Sequence, residues 1–243
     1  MTRIAILETG HPPEHLKDDF DDYPARFRAL LGEGVPTTRF DVQSGHLPED
    51  PSVFQGAIVT GSAAGVYDDL PWIPQLIDWL RAARGRTRLV GICFGHQALA
   101  HAFGGVVEKS HKGWGVGLHR YDVREDAPWM HPRARTIAIP VSHQDQVVAV
   151  SDDARVIASS GFTPYAGLAW GDDAISFQCH PEFQPDYAAA LIEGRRGARI
   201  PHDVADQAID SLKRPNDRAV LTAWIRAFLL LTPPPVEDNG SGI

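Results

Sequence analysis

The residue whose type and surroundings most clearly suggest chemistry is Cys93, which lies between two glycines in the sequence G-I-C-F-G. An apolar run precedes it and a helical pattern follows at once, so the spacing has the logic of the G-x-S-x-G nucleophile elbow. The glycines permit a sharp turn, and the N-terminus of the following helix would favour a thiolate. A structural cysteine at the end of a strand is the alternative interpretation, because free cysteines are often buried.

A nucleophilic cysteine needs a base, and the segment Q-C-H-P-E-F at residues 178–183 supplies one. We expect a strand to end at His180, with Glu182 two residues further on. Positions i and i+2 of an extended segment point to the same side, so Glu182 could orient His180 while the other ring nitrogen faces Cys93. Cys179 would face the opposite side and pack in the core. A turn with a solvated ion pair is the alternative for this segment.

The elements that must position these residues alternate between apolar runs and helical patterns. Strands are predicted at residues 3–7, 57–60, 89–92, 136–141, 147–150, 155–158 and 174–177, and helices at residues 23–31, 72–83, 96–103, 186–193, 204–212 and 217–231. This alternation predicts an α/β fold in three layers, with a mostly parallel central sheet flanked by helices. Residues 106–160 lose the long helical patterns and predict a mixed or antiparallel extension of the sheet.

Domain organisation is predicted to be simple. We expect residues 1–231 to form one catalytic domain, with the C-terminal helices between residues 204 and 231 packed on it. Residues 232–243 contain three consecutive prolines and the sequence N-G-S-G, which predicts a mobile tail.

Composition limits the classes of function. Hydrophobic residues make up 43% of the 243 residues and charged residues 22%, as in globular proteins. The formal charge of -8 argues against a nucleic-acid partner, and no apolar stretch approaches the ~20 residues of a membrane helix. Two cysteines exclude a disulfide framework, and without an export signal we expect the reducing cytoplasm.

Metal and cofactor chemistry is not predicted. His96 and His101 are five residues apart, which does not place them on one helix face, and no H-E-x-x-H, C-x-x-C or P-loop pattern occurs. We therefore expect no metal site and no cofactor.

The two segments together resemble the motifs of class I glutamine amidotransferases. The resemblance rests on G-I-C-F-G-H-Q at residues 91–97 and Q-C-H-P-E-F at residues 178–183, and it covers roughly residues 3–193. It implies a flavodoxin-like sheet. It also implies that Cys93 attacks the side-chain amide carbon of glutamine to form a γ-glutamyl thioester, while His180 moves the proton and Glu182 orients His180.

The resemblance implies roles for further residues. The backbone N–H groups of Phe94 and of Gly61, in the loop T-G-S-A-A-G, would form the oxyanion hole. The residues expected to bind the substrate are Gln97, Ser142, Gln144 and Asp145. The loop V-S-H-Q-D-Q-V at residues 141–147 is similar to that of GMP synthetase amidotransferase domains, which usually carry a glycine where Gln144 stands.

Three functions remain open. The first is a glutamine-hydrolysing amidotransferase that releases glutamate and ammonia. Because no S-G-G-x-D-S or Walker A loop occurs, an ammonia-accepting synthetase would be a separate chain.

The second function is a γ-glutamyl peptidase that acts on small peptides such as glutathione conjugates. It is suggested by V-Y-D-D-L-P-W at residues 66–72, which resembles a stand-alone subgroup that includes such enzymes. An alternative for that stretch is a helix lead-in capped by Asp68 or Asp69. The third is a catalytically silent binding protein on the same fold.

Overall fold

Most strands of the computed structural model belong to one large sheet. The structure describes residues 3–231, so the predicted tail at residues 232–243 lies outside the described residues. The strands are β1 (Ile4–Glu8), β2 (Thr37–Asp41), β3 (Gly56–Val59), β4 (Arg88–Ile92), β5 (Val106–Lys109), β6 (Gly115–Val123), β7 (Thr136–His143), β8 (Asp145–Ala149), β9 (Arg155–Ser159), β10 (Gly167–Trp170) and β11 (Ala174–Phe177). The α-helices are α1 (Tyr23–Leu31), α2 (Trp72–Ala83), α3 (Phe94–Ala102), α4 (Pro185–Glu193), α5 (His202–Ser211) and α6 (Arg218–Phe228).

The large sheet is parallel at one end and antiparallel at the other. Its order is β2-β1-β3-β4-β11-β10-β9-β6-β7, and the pairings from β2 to β11 are parallel. The remaining pairings are antiparallel, and β5 and β8 form a separate two-stranded ribbon. The predicted α/β fold with a parallel centre and an antiparallel extension is therefore confirmed.

Helices cover both faces of the parallel strands. Ile4 and Ile6 pack in the same apolar cluster as Phe27 of α1 and Trp224 of α6. Ala5 and Leu7, which alternate with Ile4 and Ile6 along β1, pack in a second cluster that includes Leu76 of α2 and Leu99 of α3. Successive side chains of a strand point to opposite faces, so a strand buried on both faces feeds two core layers. This arrangement gives the three layers that the alternating pattern predicts.

Two features at the ends of elements differ from the sequence prediction and bear on the site. Helix α3 begins at Phe94, directly after Cys93, rather than at His96. Strand β11 matches the strand predicted at residues 174–177, but the extended segment does not continue to His180 as was also expected. Phe177 pairs with Ile92, which is the last residue of β4. Because β4 turns into α3 at Cys93, β11 has no strand residue of β4 to pair with beyond Phe177.

Strand β2 was not predicted, although β1 pairs with it along its whole length. Its sequence T-T-R-F-D is polar and only partly buried because it lies at the edge of the sheet. Within residues 3–231, no helix combines the length and the apolar character needed to cross a membrane.

Candidate active site

Cys93 occupies a strained turn between β4 and α3. Its φ of 53° and ψ of −103° lie in a region that residues other than glycine rarely adopt. The backbone N–H of Cys93 donates to the carbonyl of Phe177 at 2.9 Å, which ties the turn to the end of β11. Backbone strain of this kind clusters at functional sites, where the surrounding structure holds it in place.

The two glycines that flank Cys93 are required by close packing. A Cβ on Gly91 would lie 2.3 Å from the carbonyl oxygen of Gly95, and a Cβ on Gly95 would lie 2.3 Å from that of Val59. Neither glycine adopts a positive φ, so the strain falls on Cys93 itself. The G-x-C-x-G spacing therefore lets the backbones of β3, β4 and α3 approach one another.

His180 and Glu182 lie on a loop rather than on a strand. The prediction that the strand reaches His180 is wrong, because β11 stops at Phe177. The loop is fixed instead by the N–H of His180, which donates to the carbonyl of Pro140 at 2.9 Å. The imidazole Nδ1 of His180 lies 2.7 Å from Oε1 of Glu182, and both side chains are buried. The structure therefore pairs His180 with Glu182, as predicted, but it does so on a loop and not along an extended strand.

Burial and charge act in opposite directions on His180. Burial lowers the pKa of His180, but the Glu182 carboxylate and a hydrogen bond with the Cys93 side chain raise it, and the result is a pKa of about 10. A Cβ built on Gly61 would lie 3.2 Å from Cε1 of His180 and 3.7 Å from Cβ of Cys93, so both side chains meet at this glycine. The surroundings therefore stabilise an imidazolium between a sulfur and a carboxylate.

Phe183 fixes the plane of the imidazole. Its ring stacks on His180 with the centroids 3.9 Å apart and the planes 6° from parallel. Tyr187 packs edge-on against the other side of Phe183 at 4.7 Å. Sequence analysis did not find this role, because a buried aromatic residue two positions after a proline is equally typical of ordinary core packing.

The loop that contains Gly61 is held by a neighbouring threonine. The carbonyl of Thr60 accepts from the Thr9 hydroxyl at 2.9 Å and from the N–H of Gly95 at 3.1 Å, which fixes the Thr60–Gly61 peptide. Phe94 is the first residue of α3, so its N–H has no acceptor within the helix. Both backbone N–H groups of the predicted oxyanion hole therefore belong to fixed segments beside Cys93.

The four predicted substrate-binding residues all line one of the pockets beside Cys93, and Gln97 has partners of its own. Its buried amide donates to the carbonyl of Asp145 at 3.0 Å and to Oε1 of Gln178 at 3.1 Å. Ser142 accepts a hydrogen bond from Arg195 at 2.6 Å. Sequence analysis missed Arg195, since it follows α4 and resembles no motif.

Cys93 lies where two pockets meet. One pocket, of about 410 Å³, is lined by His180, Tyr23 and Phe183 among others. The second, of about 350 Å³, is lined by residues that include the four predicted substrate-binding positions, Gln97, Ser142, Gln144 and Asp145. The border between the two pockets includes Cys93, Ser142, Arg195 and Arg199.

Charged side chains of both signs line the second pocket, namely Asp68, Asp145, Lys109, Arg195 and Arg199. Burial raises the pKa of Asp145, and a hydrogen bond with Tyr67 lowers it in part. Burial and the same bond to Asp145 raise the pKa of Tyr67 to about 12. Asp68 also lines this pocket, where it accepts from the N–H of Gly65 at 2.8 Å. The alternative in which Asp68 or Asp69 caps α2 is wrong, because the N-cap residue is Pro71 and makes no side-chain cap.

Cys179 packs in the same apolar cluster as Cys93 but, unlike Cys93, lines neither of the two pockets. Burial raises the pKa of the Cys179 thiol well above the usual range. Both cysteines are free thiols. In the described part of the chain, no group of three or more His, Cys, Asp or Glu side chains is placed to hold a metal ion.

Known proteins that are similar to this chain share one family description. The family described as glutamine amidotransferase class-I matches residues 28–193. A glutamine amidotransferase-like protein of Schizosaccharomyces pombe is 27% identical over 93% of this chain and 98% of its own length. Gamma-glutamyl peptidase 2 of Arabidopsis thaliana is 25% identical over 88% of this chain and 90% of its own length. The crystal structure of a glutamine amidotransferase from Thermotoga maritima aligns over 94% of this chain and 98% of its own, with a TM-score of 0.73 and 16% identity.

Proposed function

Since this chain belongs to the class I glutamine amidotransferase family, we propose that it hydrolyses γ-glutamyl amide bonds through a thioester on Cys93. The observation that carries the proposal is the buried pairing of His180 with Glu182 at 2.7 Å, beside a strained Cys93. A nucleophile, a base and an orienting acid in this order are the parts that acyl transfer requires.

The first half of the reaction forms the thioester. The thiolate of Cys93 attacks the amide carbonyl carbon, and the N–H groups of Gly61 and Phe94 donate to the developing oxyanion. The imidazolium of His180 then gives its proton to the departing nitrogen as the C–N bond breaks. The amine or ammonia leaves, and the γ-glutamyl group remains on the sulfur.

The second half returns the enzyme to its starting state. Water attacks the thioester carbon while neutral His180 takes a proton from it. The C–S bond breaks, glutamate is released, and Cys93 is again a thiolate beside an imidazolium. Glu182 holds the ring in place through Nδ1 and stabilises its cationic form.

Glutamine is the first candidate substrate, with glutamate and ammonia as products. In that case the ammonia is passed to a synthetase on a separate chain, or is released. We place the reaction in the cytoplasm, where reducing conditions keep Cys93 as a thiol. We also treat residues 1–231 as a single catalytic domain.

Small γ-glutamyl peptides are the second candidate. This candidate is favoured by the pocket of about 410 Å³ next to His180, which is far larger than ammonia requires. The similarity to gamma-glutamyl peptidase 2 of Arabidopsis thaliana also supports it. The buried ion pair of His180 and Glu182 argues against a catalytically silent protein, because binding alone does not require it.

A substrate panel tests the proposal. Purified protein is mixed with glutamine and with γ-glutamyl dipeptides, and the release of glutamate is measured for wild type and for Cys93→Ala. We expect wild type to release glutamate from at least one compound and Cys93→Ala from none. Equal release by both proteins, or release by neither, would refute the proposed function. The ratio of the two kinds of substrate then separates the two candidates.

A further inference from the structure

Two guanidinium groups border Cys93 without an acidic partner. Within residues 3–231, neither Arg195 nor Arg199 forms an ion pair, whereas Arg196 between them pairs with Glu193 and Asp206. Arg195 donates to the Ser142 hydroxyl and lies 5.2 Å from the centroid of the Trp114 ring. These contacts hold the guanidinium in place, but they do not neutralise it.

The charges of the pocket next to His180 point to an anionic ligand. Arg195 and Arg199 both line the two pockets that meet at Cys93. Burial lowers the pKa of the Arg195 guanidinium, and the like charge of Arg199 lowers it further. His11 and His15 also line this pocket, and none of its lining residues in the described chain is Asp or Glu. Glu8 lies behind His11, with its two oxygens 3.0 Å from His11 and 2.6 Å from Arg39. Bringing two guanidinium groups together is unfavourable unless an anion lies near them.

The position of His180 shows which part of the substrate this pocket receives. The departing nitrogen takes its proton from His180, so the leaving group must lie on the side that His180 lines. His180 lines the pocket of about 410 Å³ and not the second pocket. The second pocket contains the carboxylates of Asp68 and Asp145 together with Lys109, Arg195 and Arg199, so it has partners for both the ammonium and the α-carboxylate of the γ-glutamyl part.

We propose that Arg199, supported by Arg195, binds a carboxylate carried by the departing amine. The preferred substrates are then γ-glutamyl conjugates of amino acids or short peptides. This inference rests on the proposed function and names what its leaving-group side recognises. When the C–N bond breaks, the amine leaves with the proton from His180 while its carboxylate is still bound to the guanidinium. An arginine is suited to this role because its planar donors match the two oxygens of a carboxylate.

The test compares two substrates that differ in the charge of the leaving group. We would measure kcat/KM for γ-glutamylglycine and for γ-glutamylethylamide, which has no carboxylate on its amine. Wild type should prefer γ-glutamylglycine, and Arg199→Gln should lower that preference about tenfold, since a hydrogen bond to a charged group is being lost. Arg199→Lys, which keeps the charge, should retain part of the preference. Arg199 is exposed, so folding of the variants is not at risk.

Arg196→Gln is the matched control. It removes a guanidinium from the same segment, but that guanidinium is already paired with Glu193 and Asp206. Arg196→Gln should therefore keep the wild-type preference for γ-glutamylglycine.

Because Arg199 also borders the second pocket, it could instead bind the α-carboxylate of the γ-glutamyl part. In that case Arg199→Gln would weaken both substrates equally.

The outcomes are distinct. A wild-type preference that falls in Arg199→Gln and persists in Arg196→Gln supports the inference. No preference in wild type, or a preference that is the same in Arg199→Gln, overturns it while the proposed function stands. Failure of wild type to hydrolyse any γ-glutamyl compound overturns the proposed function, and this inference falls with it.

Discussion

At the scale of single residues, the proposed chemistry depends on how Glu182 changes the behaviour of His180. An isolated buried imidazole would be neutral, as burial alone dictates. The carboxylate 2.7 Å from Nδ1 and the adjacent Cys93 reverse this effect and raise the pKa of His180 to about 10. The proton that the leaving group needs is therefore already on the ring at neutral pH.

Replacing Glu182 tests this electrostatic role. Glu182→Gln keeps the size of the side chain but removes its charge, so the pKa of His180 should fall. From the pKa of about 10 for His180, we expect the alkaline limb of the pH profile of kcat/KM to lie near pH 10 in wild type and at lower pH in Glu182→Gln. The value of kcat/KM at neutral pH should fall by roughly 10²- to 10⁴-fold. The measurement is kcat/KM for the best γ-glutamyl substrate from pH 5 to 11.

The control for that experiment is Glu193→Gln, which removes an exposed carboxylate that pairs with Arg196. It should leave both limbs of the profile in place. Both wild type and the control should also lose activity at low pH, as the Cys93–His180 pair takes up a proton. An alkaline limb that is the same in Glu182→Gln and wild type would contradict the role given to the carboxylate.

The residues that sequence analysis found and missed differ in one respect. Cys93 stands in one short local pattern and the His180–Glu182 pair in another, which is why sequence analysis could single them out as candidates. The stacking of Phe183 and the hydrogen bond from Arg195 to Ser142 depend on packing between separate elements. Local spacing carries no information about such contacts.

At the scale of elements, the turn from β4 to α3 requires very close backbone contacts. Gly95→Ala would place a Cβ 2.3 Å from the carbonyl oxygen of Val59, and neither backbone can move freely. We expect this substitution to lower the free energy of unfolding by about 1–3 kcal/mol or more, as overpacking does. It should also lower the activity, because the turn that presents Cys93 would shift. Urea unfolding and glutamate release measure the two effects.

Gly161→Ala is the matched control for the turn. A Cβ at Gly161 would meet no atom within 4 Å, and its φ is not positive. This variant should keep the unfolding free energy and the activity of wild type. If Gly95→Ala were as stable and as active as Gly161→Ala, close packing at the turn would not be what selects glycine there.

The elements were predicted well where their patterns are strong. Helices α1 and α2 begin and end at the predicted residues, because their apolar faces follow the helical period. Strand β2 was missed, because an edge strand with polar residues has no apolar run. The end of β11 depends on where its partner β4 stops, which the sequence of β11 alone does not contain.

At the scale of the whole molecule, the two core layers enclose ionisable side chains. His96 on α3 is fully buried, and its Nδ1 lies 2.8 Å from the hydroxyl of Ser176. Burial lowers the pKa of His96 to about 3. In the unfolded chain a histidine has a pKa near 6.5. At mildly acidic pH, His96 is therefore protonated in the unfolded chain and neutral in the folded protein.

The direction of the pH dependence of stability follows. Between pH 6.5 and about 3 the unfolded chain binds a proton at His96 that the folded chain does not, so the unfolding free energy falls as the pH falls. For one such group, each pH unit in this range lowers the unfolding free energy by about 1.4 kcal/mol. His96→Gln should therefore make the decline between pH 6.5 and 4.5 shallower, as measured by urea unfolding. His101→Gln, at an exposed position of the same helix, should not. Equal slopes in all three proteins would contradict this account.

The central claim is that Cys93 attacks the γ-glutamyl carbon, and covalent trapping tests it most directly. The protein would be treated with a chloroketone analogue of glutamine, and the label would be located by mass spectrometry of peptides. We predict one equivalent of label on Cys93, slower labelling in the presence of a γ-glutamyl substrate, and none on Cys179, which lines neither pocket at the site. Cys93→Ala should remain unlabelled and should release no glutamate. A wild-type protein that is not labelled at Cys93, or a Cys93→Ala protein that still releases glutamate, would contradict the mechanism.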